Sequence, residues 1–187
     1  GMMRKSAQVR KKLEEARESE TARRINEAGK QYAEVRAQDP GNREALDGAA
    51  RTAGVLAEVG RTVQESQWEL DRALGFFLYS KDAPVEEFHI RLSEIRGSLE
   101  AIVGVVSDDA RVFYLLGRCH EAMGGENEAE SCWRKTLVLD GDLHSARFHL
   151  VQLWLVRACR LAYYNPFREK AHDEWNAEKQ QLIARIE

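Results

Sequence analysis

The fold is decided by one stretch, residues 110–141, which reads ARVFYLLGRCHEAMGGENEAESCWRKTLVLDG. Phe113 and Gly117 are four residues apart and fall on one face of a predicted helix. Ala129 follows Gly117 by twelve residues, and Trp133 follows Ala129 by four. Small residues at 117 and 129 let two helices approach closely, and the two aromatic side chains fill the seam between them. The stretch therefore predicts two antiparallel helices.

This spacing resembles the tetratricopeptide repeat, a helical hairpin that stacks on its neighbours. The resemblance is strongest over residues 110–143, and Tyr32 with the Asp39–Asn42 turn resembles the end of a degenerate repeat. A single hairpin cannot bury its own apolar face, so about three repeats or capping helices are needed. The resemblance implies an all-α, right-handed stack of antiparallel helical hairpins, an α-solenoid of about eight helices.

Composition agrees with an all-α chain. Three Pro and thirteen Gly among 187 residues, with 43% hydrophobic and 32% charged residues, favour amphipathic helices over strands. The length suits one domain, which we predict over residues 2–187. Its predicted parts are a charged N-terminal helical segment at 2–40, degenerate hairpins at 43–106, the tetratricopeptide hairpin at 110–143, and a following helix with a capping helix at 144–187.

The N-terminal segment carries a thin apolar stripe that includes Val9, Leu13 and Ile25. The segment could fold back at Ser19–Thr21 as a hairpin. It could also run on as one long helix that pairs with another chain as a coiled coil. The pattern leaves both open. Asn42 is placed to cap the next helix.

That next helix is expected to begin at Arg43 and to end near Gly60, since glycine often follows the last turn of a helix. The helix after Gly60 contains bulky side chains that we expect to anchor a core: Trp68, Phe76, Phe77, Leu78 and Tyr79. Asp108 and Asp109 are interpreted as helix caps, because acidic residues favour the first turn. A last helix, between Phe167 and Ile186, is expected to cap the stack.

Charge and cysteine content limit the function classes. The chain has 28 basic and 31 acidic side chains, which are interspersed and leave no broad cationic face for nucleic acid. Its most apolar stretch, 148–164, is interrupted by polar residues and is shorter than the ~20 residues that span a bilayer. We therefore expect neither nucleic acid nor membrane as a partner. Three cysteines are too few for a disulfide framework and fit a cytoplasmic location.

Candidate metal and catalytic groups do not form a known pattern. Thiols and imidazoles bind zinc, but the spacing of these side chains does not support a site: Cys119, His120, Cys132, His144 and His149. The sequence contains no nucleophile elbow and no phosphate-binding glycine loop. It therefore predicts no cofactor, no metal and no enzymatic activity.

The resemblance implies a binding surface on the first helices of the repeats, which line a concave groove. The residues expected there are Arg111, Tyr114, Arg118, Glu121, Ser145, Phe148 and Gln152. Two arginines beside aromatic rings could hold an acidic peptide. In the alternative interpretation, Tyr114 and Phe148 belong to the core and the arginines to a solvated face.

The resemblance thus favours a non-enzymatic adaptor or scaffold that binds a peptide or protein segment. The alternative is a structural homo-oligomer, assembled through the N-terminal helix or through the apolar helix at 148–164. An enzyme with an unrecognised site is the third interpretation, since a scaffold does not by itself exclude catalysis.

Overall fold

A computed structural model describes residues 2–79 and 84–164 of the chain. These residues form seven α-helices and no strand, which confirms the predicted all-α class. The helices are α1 (Met2–Thr21), α2 (Ile25–Gln38), α3 (Arg43–Tyr79), α4 (Val85–Val103), α5 (Ala110–Ala122), α6 (Glu126–Leu139) and α7 (His144–Tyr164). Each helix packs against the next along the chain, and α3 also contacts α5. The capping helix predicted between Phe167 and Ile186 lies outside the described residues.

The N-terminal segment is a hairpin of α1 and α2, so the interpretation as one long helix is wrong. The chain reverses at residues 22–24, just after the predicted position, and Arg23 has a φ of 61° in the left-handed region. Val9 and Leu13 pack against a buried cluster that contains Tyr32. Because the apolar stripe of α1 is used within the chain, it is not a free coiled-coil partner.

The predicted end of a helix at Gly60 is also wrong, because α3 runs without a break through this residue. Buried side chains recur every seven residues along α3, and they are Ala45, Thr52, Val59, Ser66 and Ala73. A glycine inside a helix costs about 1 kcal/mol. A continuous stripe of buried contacts on both sides of Gly60 outweighs that cost. Residues 43–103 therefore contribute one hairpin, α3 with α4, rather than several.

The bulky residues at the end of α3 do not anchor the core as expected. Trp68, Phe76 and Leu78 are largely exposed, whereas Leu70 and Ala73 are buried. The seven-residue register of α3 explains the difference, since it places 70 and 73 on the seam and turns 68, 76 and 78 away from it. The side chain of Tyr79 lies outside the described set.

Two predicted caps, Asn42 and Asp109, are confirmed, and a second carboxylate, Asp108, caps a distant helix. Asn42 accepts a hydrogen bond from the Ala45 amide at 3.0 Å, and Asp109 accepts one from the Arg111 amide at 3.0 Å. Asp108 instead accepts from the amides of Asn26 at 3.2 Å and Glu27 at 2.9 Å, at the start of α2. The turn before α5 is thus tied to the N-terminal hairpin.

Candidate peptide-binding surface

The seam between α5 and α6 is built around one aromatic side chain. Trp133 is fully buried, and its Nε1 donates to the Tyr114 carbonyl oxygen at 3.3 Å. Its indole lies directly over Gly117, where an added Cβ would be 2.5 Å from Trp133 Cδ1. Only glycine leaves room for this approach. The prediction that Trp133 fills the seam between the two helices is confirmed.

The same indole joins the hairpin to α7. The ring of His149 stacks on Trp133, with centroids 4.8 Å apart and planes 21° from parallel. Ala129, Trp133 and Leu150 belong to one buried cluster. Trp133 therefore lies between its own hairpin and the following helix, and α7 is held against the α5–α6 hairpin.

A buried carboxylate, which the sequence reasoning missed, also holds α7 on α6. Glu130 accepts from Trp154 Nε1 at 3.1 Å and forms ion pairs with Arg157 and Arg134. Burial by itself raises the pKa of Glu130, but hydrogen bonds from Arg157 and Trp154 outweigh it, so the pKa lies below its usual range. The spacing of Glu126, Glu130 and Arg134 on α6 is the only sequence signal for this network.

We expect the α6–α7 ion pairs to make the protein sensitive to acid. A carboxylate with a lowered pKa stabilises the fold above its unfolded pKa of about 4.3, and that contribution is lost as the pH falls through the folded value. Glu130→Gln should therefore cost about 1–2 kcal/mol at pH 7, and the difference from the wild type should shrink towards pH 3.

Urea denaturation at several pH values measures this difference. Glu128→Gln, an exposed position on the same helix, is the control and should show no comparable change between pH 7 and pH 3. A Glu130→Gln difference that stays constant with pH would contradict the assignment.

The predicted binding residues fall into two groups. Five of them are exposed, namely Arg111, Glu121, Ser145, Phe148 and Gln152, while Tyr114 and Arg118 are half-buried. The structure brings some of them together around His149, a residue not included in the prediction. Tyr114 Oη lies 3.4 Å from His149 Nε2, and Glu121 Oε2 lies 3.4 Å from His149 Nδ1. His149 thus links the predicted α5 residues to α7.

Both predicted arginines already contact carboxylates of the chain. Arg111 Nη2 donates to Asp109 Oδ2 at 2.6 Å, and Arg118 Nη1 donates to Asp71 Oδ1 at 2.7 Å. The hydrogen bond from Arg111 to Asp109 raises the pKa of Arg111 above its usual value. An acidic partner would have to share these guanidinium groups with the internal carboxylates, of which Asp109 is buried and Asp71 is exposed.

One side of α7 is apolar and uncovered by the described residues. Phe148 is 60% exposed, Leu155 50% and Val156 45%. Gln152 lies between them at helical spacing and is also exposed. We call these four residues the α7 apolar face. It adjoins His149 and so continues the predicted surface of α5.

Burial makes two of the three cysteines poor nucleophiles. Burial raises the pKa of Cys119 to about 12 and that of Cys132 to about 11, so both are protonated thiols near neutral pH. Cys159 is exposed. Within residues 2–79 and 84–164, no group of three or more His, Cys, Asp or Glu side chains is arranged to hold a metal ion.

None of the helices in the described part of the chain has the length and apolar character needed to cross a bilayer.

Comparisons with known proteins show a likeness to solved structures but to no protein family. No protein-family model matches the chain, and no curated protein matches it. Among solved structures, the chain is similar to a thermophilic TPR protein of Thermus thermophilus, with 16% sequence identity and a TM-score of 0.40. The match covers 94% of this chain and 99% of the other. The tetratricopeptide resemblance therefore rests on the residues of the α5–α6 hairpin themselves.

Proposed function

We propose that this protein is a non-enzymatic cytoplasmic adaptor that binds a peptide or protein segment on the surface shared by α5 and α7. The residues proposed to contact the partner are Arg111, Tyr114, Arg118, Glu121, Ser145, Phe148 and Gln152. The observation that carries the proposal is the α7 apolar face. Contiguous exposed apolar side chains beside polar groups are typical of protein interaction sites.

The charges of this surface favour an acidic segment with apolar side chains. Arg111 is half exposed and pairs with a carboxylate two residues away. Because the Asp109 carboxylate is buried, it stays paired with Arg111, and a partner carboxylate would share the exposed side of the Arg111 guanidinium. The apolar side chains of the partner would then lie on Phe148 and its neighbours.

Charge reversal tests this proposal. Arg111→Glu with Arg118→Glu should abolish capture of partners from a lysate of the source organism, because the acidic segment is then repelled. Arg36→Glu with Arg61→Glu makes the same change of charge at exposed positions of α2 and α3, and it should leave capture unchanged. Circular dichroism should show the same helical signal in all variants. Undiminished capture by the first variant, with the control also unchanged, would exclude this surface.

The α7 apolar face also favours a second candidate function, a homo-oligomer in which two copies bury this face against each other. Light scattering separates the two. A clean monomer excludes obligate pairing, whereas a dimer that Phe148→Glu with Leu155→Glu converts to monomer supports it. Assembly through α1, the other predicted route, is not retained, because its apolar stripe packs within the N-terminal hairpin.

A further inference from the structure

A cavity of about 340 Å³ lies between the end of α3 and the first two turns of α4. Its lining includes Arg72, Phe76, Glu87, Phe88 and Arg91, and none of its lining residues belongs to α5 or α7. The cavity is therefore separate from the proposed adaptor surface. Its volume is at the lower end of the ~300–1,000 Å³ of ligand pockets, which suits a single large side chain.

The walls of this cavity are aromatic and partly exposed to solvent. Phe88 is buried, and Phe77 stacks on it with ring centroids 4.2 Å apart and planes 13° from parallel. Phe76 lines the cavity but is 60% exposed, and Trp68, about two turns earlier on α3, is 59% exposed. Large exposed aromatic side chains gathered beside a cavity indicate a surface that a partner covers.

The rim carries more positive than negative charge. Arg91 Nη2 donates to Glu87 Oε1 at 2.8 Å, so these two side chains neutralise each other. The Arg72 guanidinium lies over the Trp68 ring, 5.2 Å from its centroid. In the two described ranges, no ion pair joins Arg72 to a carboxylate. One guanidinium at the rim thus remains to complement an anion.

We propose that this cavity binds a partner peptide through one bulky apolar side chain next to an acidic residue. The apolar side chain enters between Phe76 and Phe88, where burial against the rings stabilises it. The adjoining carboxylate reaches Arg72, whose planar fork matches a carboxylate in a bidentate arrangement.

A matched pair of peptides tests the proposal on the full chain. The probes are acetyl-Ala-Asp-Phe-Ala-Ala-amide and the same peptide with Asn in place of Asp. NMR titration should show the Asp peptide shifting the amides of residues 72–91, with a millimolar dissociation constant. The Asn peptide should bind at least about fivefold more weakly, because it cannot form the charged contact.

Single substitutions separate the charged contact at Arg72 from the apolar contact at Phe76. Arg72→Gln should weaken the Asp peptide to the level of the Asn peptide and leave the Asn peptide unchanged, whereas Phe76→Ala should weaken both. Arg61→Gln, on α3 but outside the cavity, is the control and should bind both as the wild type does. Arg111→Glu with Arg118→Glu should also bind normally, which separates this site from the proposed adaptor surface.

Three results would overturn the proposal. Equal binding of the two peptides would exclude the charged contact, and shifts spread over other helices would exclude the cavity. If diluting the free protein shifts the amides of 72–91, a second copy of the chain occupies the site instead of a peptide.

Discussion

Trp133→Ala should lower the free energy of unfolding by about 3–5 kcal/mol, because it empties a fully buried aromatic site. The indole fills the space over Gly117 and stacks on His149, so its removal uncouples both helices that contact it. The total stability of a domain is only about 5–15 kcal/mol. We therefore expect a poorly folded protein, which the midpoint of chemical denaturation measures.

Trp68→Ala is the matched control for this prediction. Trp68 is 59% exposed, and surface substitutions usually change stability by no more than about 0.5 kcal/mol. The two tryptophan variants remove the same atoms, so a difference between them reports burial alone. If Trp133→Ala unfolds at the wild-type midpoint, the seam between α5 and α6 is absent, and the tetratricopeptide resemblance loses its main support.

The α5–α6 hairpin could be predicted because its packing depends on residues close together in sequence. Gly117 and Trp133 are sixteen residues apart, and the length of the hairpin brings them opposite each other. Helix spacing and two short turns are therefore enough to place the indole over the glycine. The N-terminal hairpin follows the same logic, and there the sequence leaves open only whether the chain turns.

The error at Gly60 shows where local signals fail. Taken alone, this glycine indicates the end of a helix, although the apolar and small residues Ala45, Thr52 and Val59 continue at seven-residue spacing beyond it to Ser66 and Ala73. Packing along the whole helix outweighs a single unfavourable propensity. A count of the seven-residue repeat across 43–79 would have predicted one long helix. The same count would have placed Trp68 on the outside.

Two features depend on contacts that no local pattern contains. Asp108 is a cap, as its residue type predicts, but the helix that it caps begins at Ile25, more than eighty residues earlier. Glu130 has the sequence context of a surface residue of α6, and only the approach of Trp154 and Arg157 on α7 makes it a buried acceptor. Such pairings follow from the tertiary fold.

The candidate surface illustrates the same limit. Phe148 and Gln152, which the resemblance assigns to the binding surface, are exposed on α7. The register could not show that Arg111 and Arg118 already have carboxylate partners, or that His149 links α5 to α7. Asp71, which pairs with Arg118, is on another hairpin. Whether these arginines are free for a ligand could therefore be judged only from the folded chain.

The second large effect is expected at Gly48, which packs against the ring of Tyr32. A Cβ at this position would lie 2.5 Å from Tyr32 Cζ and 2.6 Å from Cε1, closer than side chains approach each other. Tyr32 cannot easily move, because it is fully buried and its hydroxyl donates to Glu20 at 2.8 Å. Gly48→Leu should therefore lower the free energy of unfolding by about 3 kcal/mol, at the upper end of the usual cost of overpacking.

Gly54→Leu on the same helix is the control, because a Cβ at position 54 meets no atom within 4 Å among the described residues. Leucine favours a helix over glycine, so this variant should gain up to about 1 kcal/mol. The two substitutions should therefore change the free energy of unfolding in opposite directions, as measured by urea denaturation.

Tyr32→Ala supplies the remaining test, since it removes the ring with which the leucine side chain would clash. The double variant Tyr32→Ala with Gly48→Leu should be more stable than the sum of the two single effects allows, as expected for residues in direct contact. Additive effects would mean that Tyr32 does not lie over Gly48, and that α2 and α3 approach each other along another face.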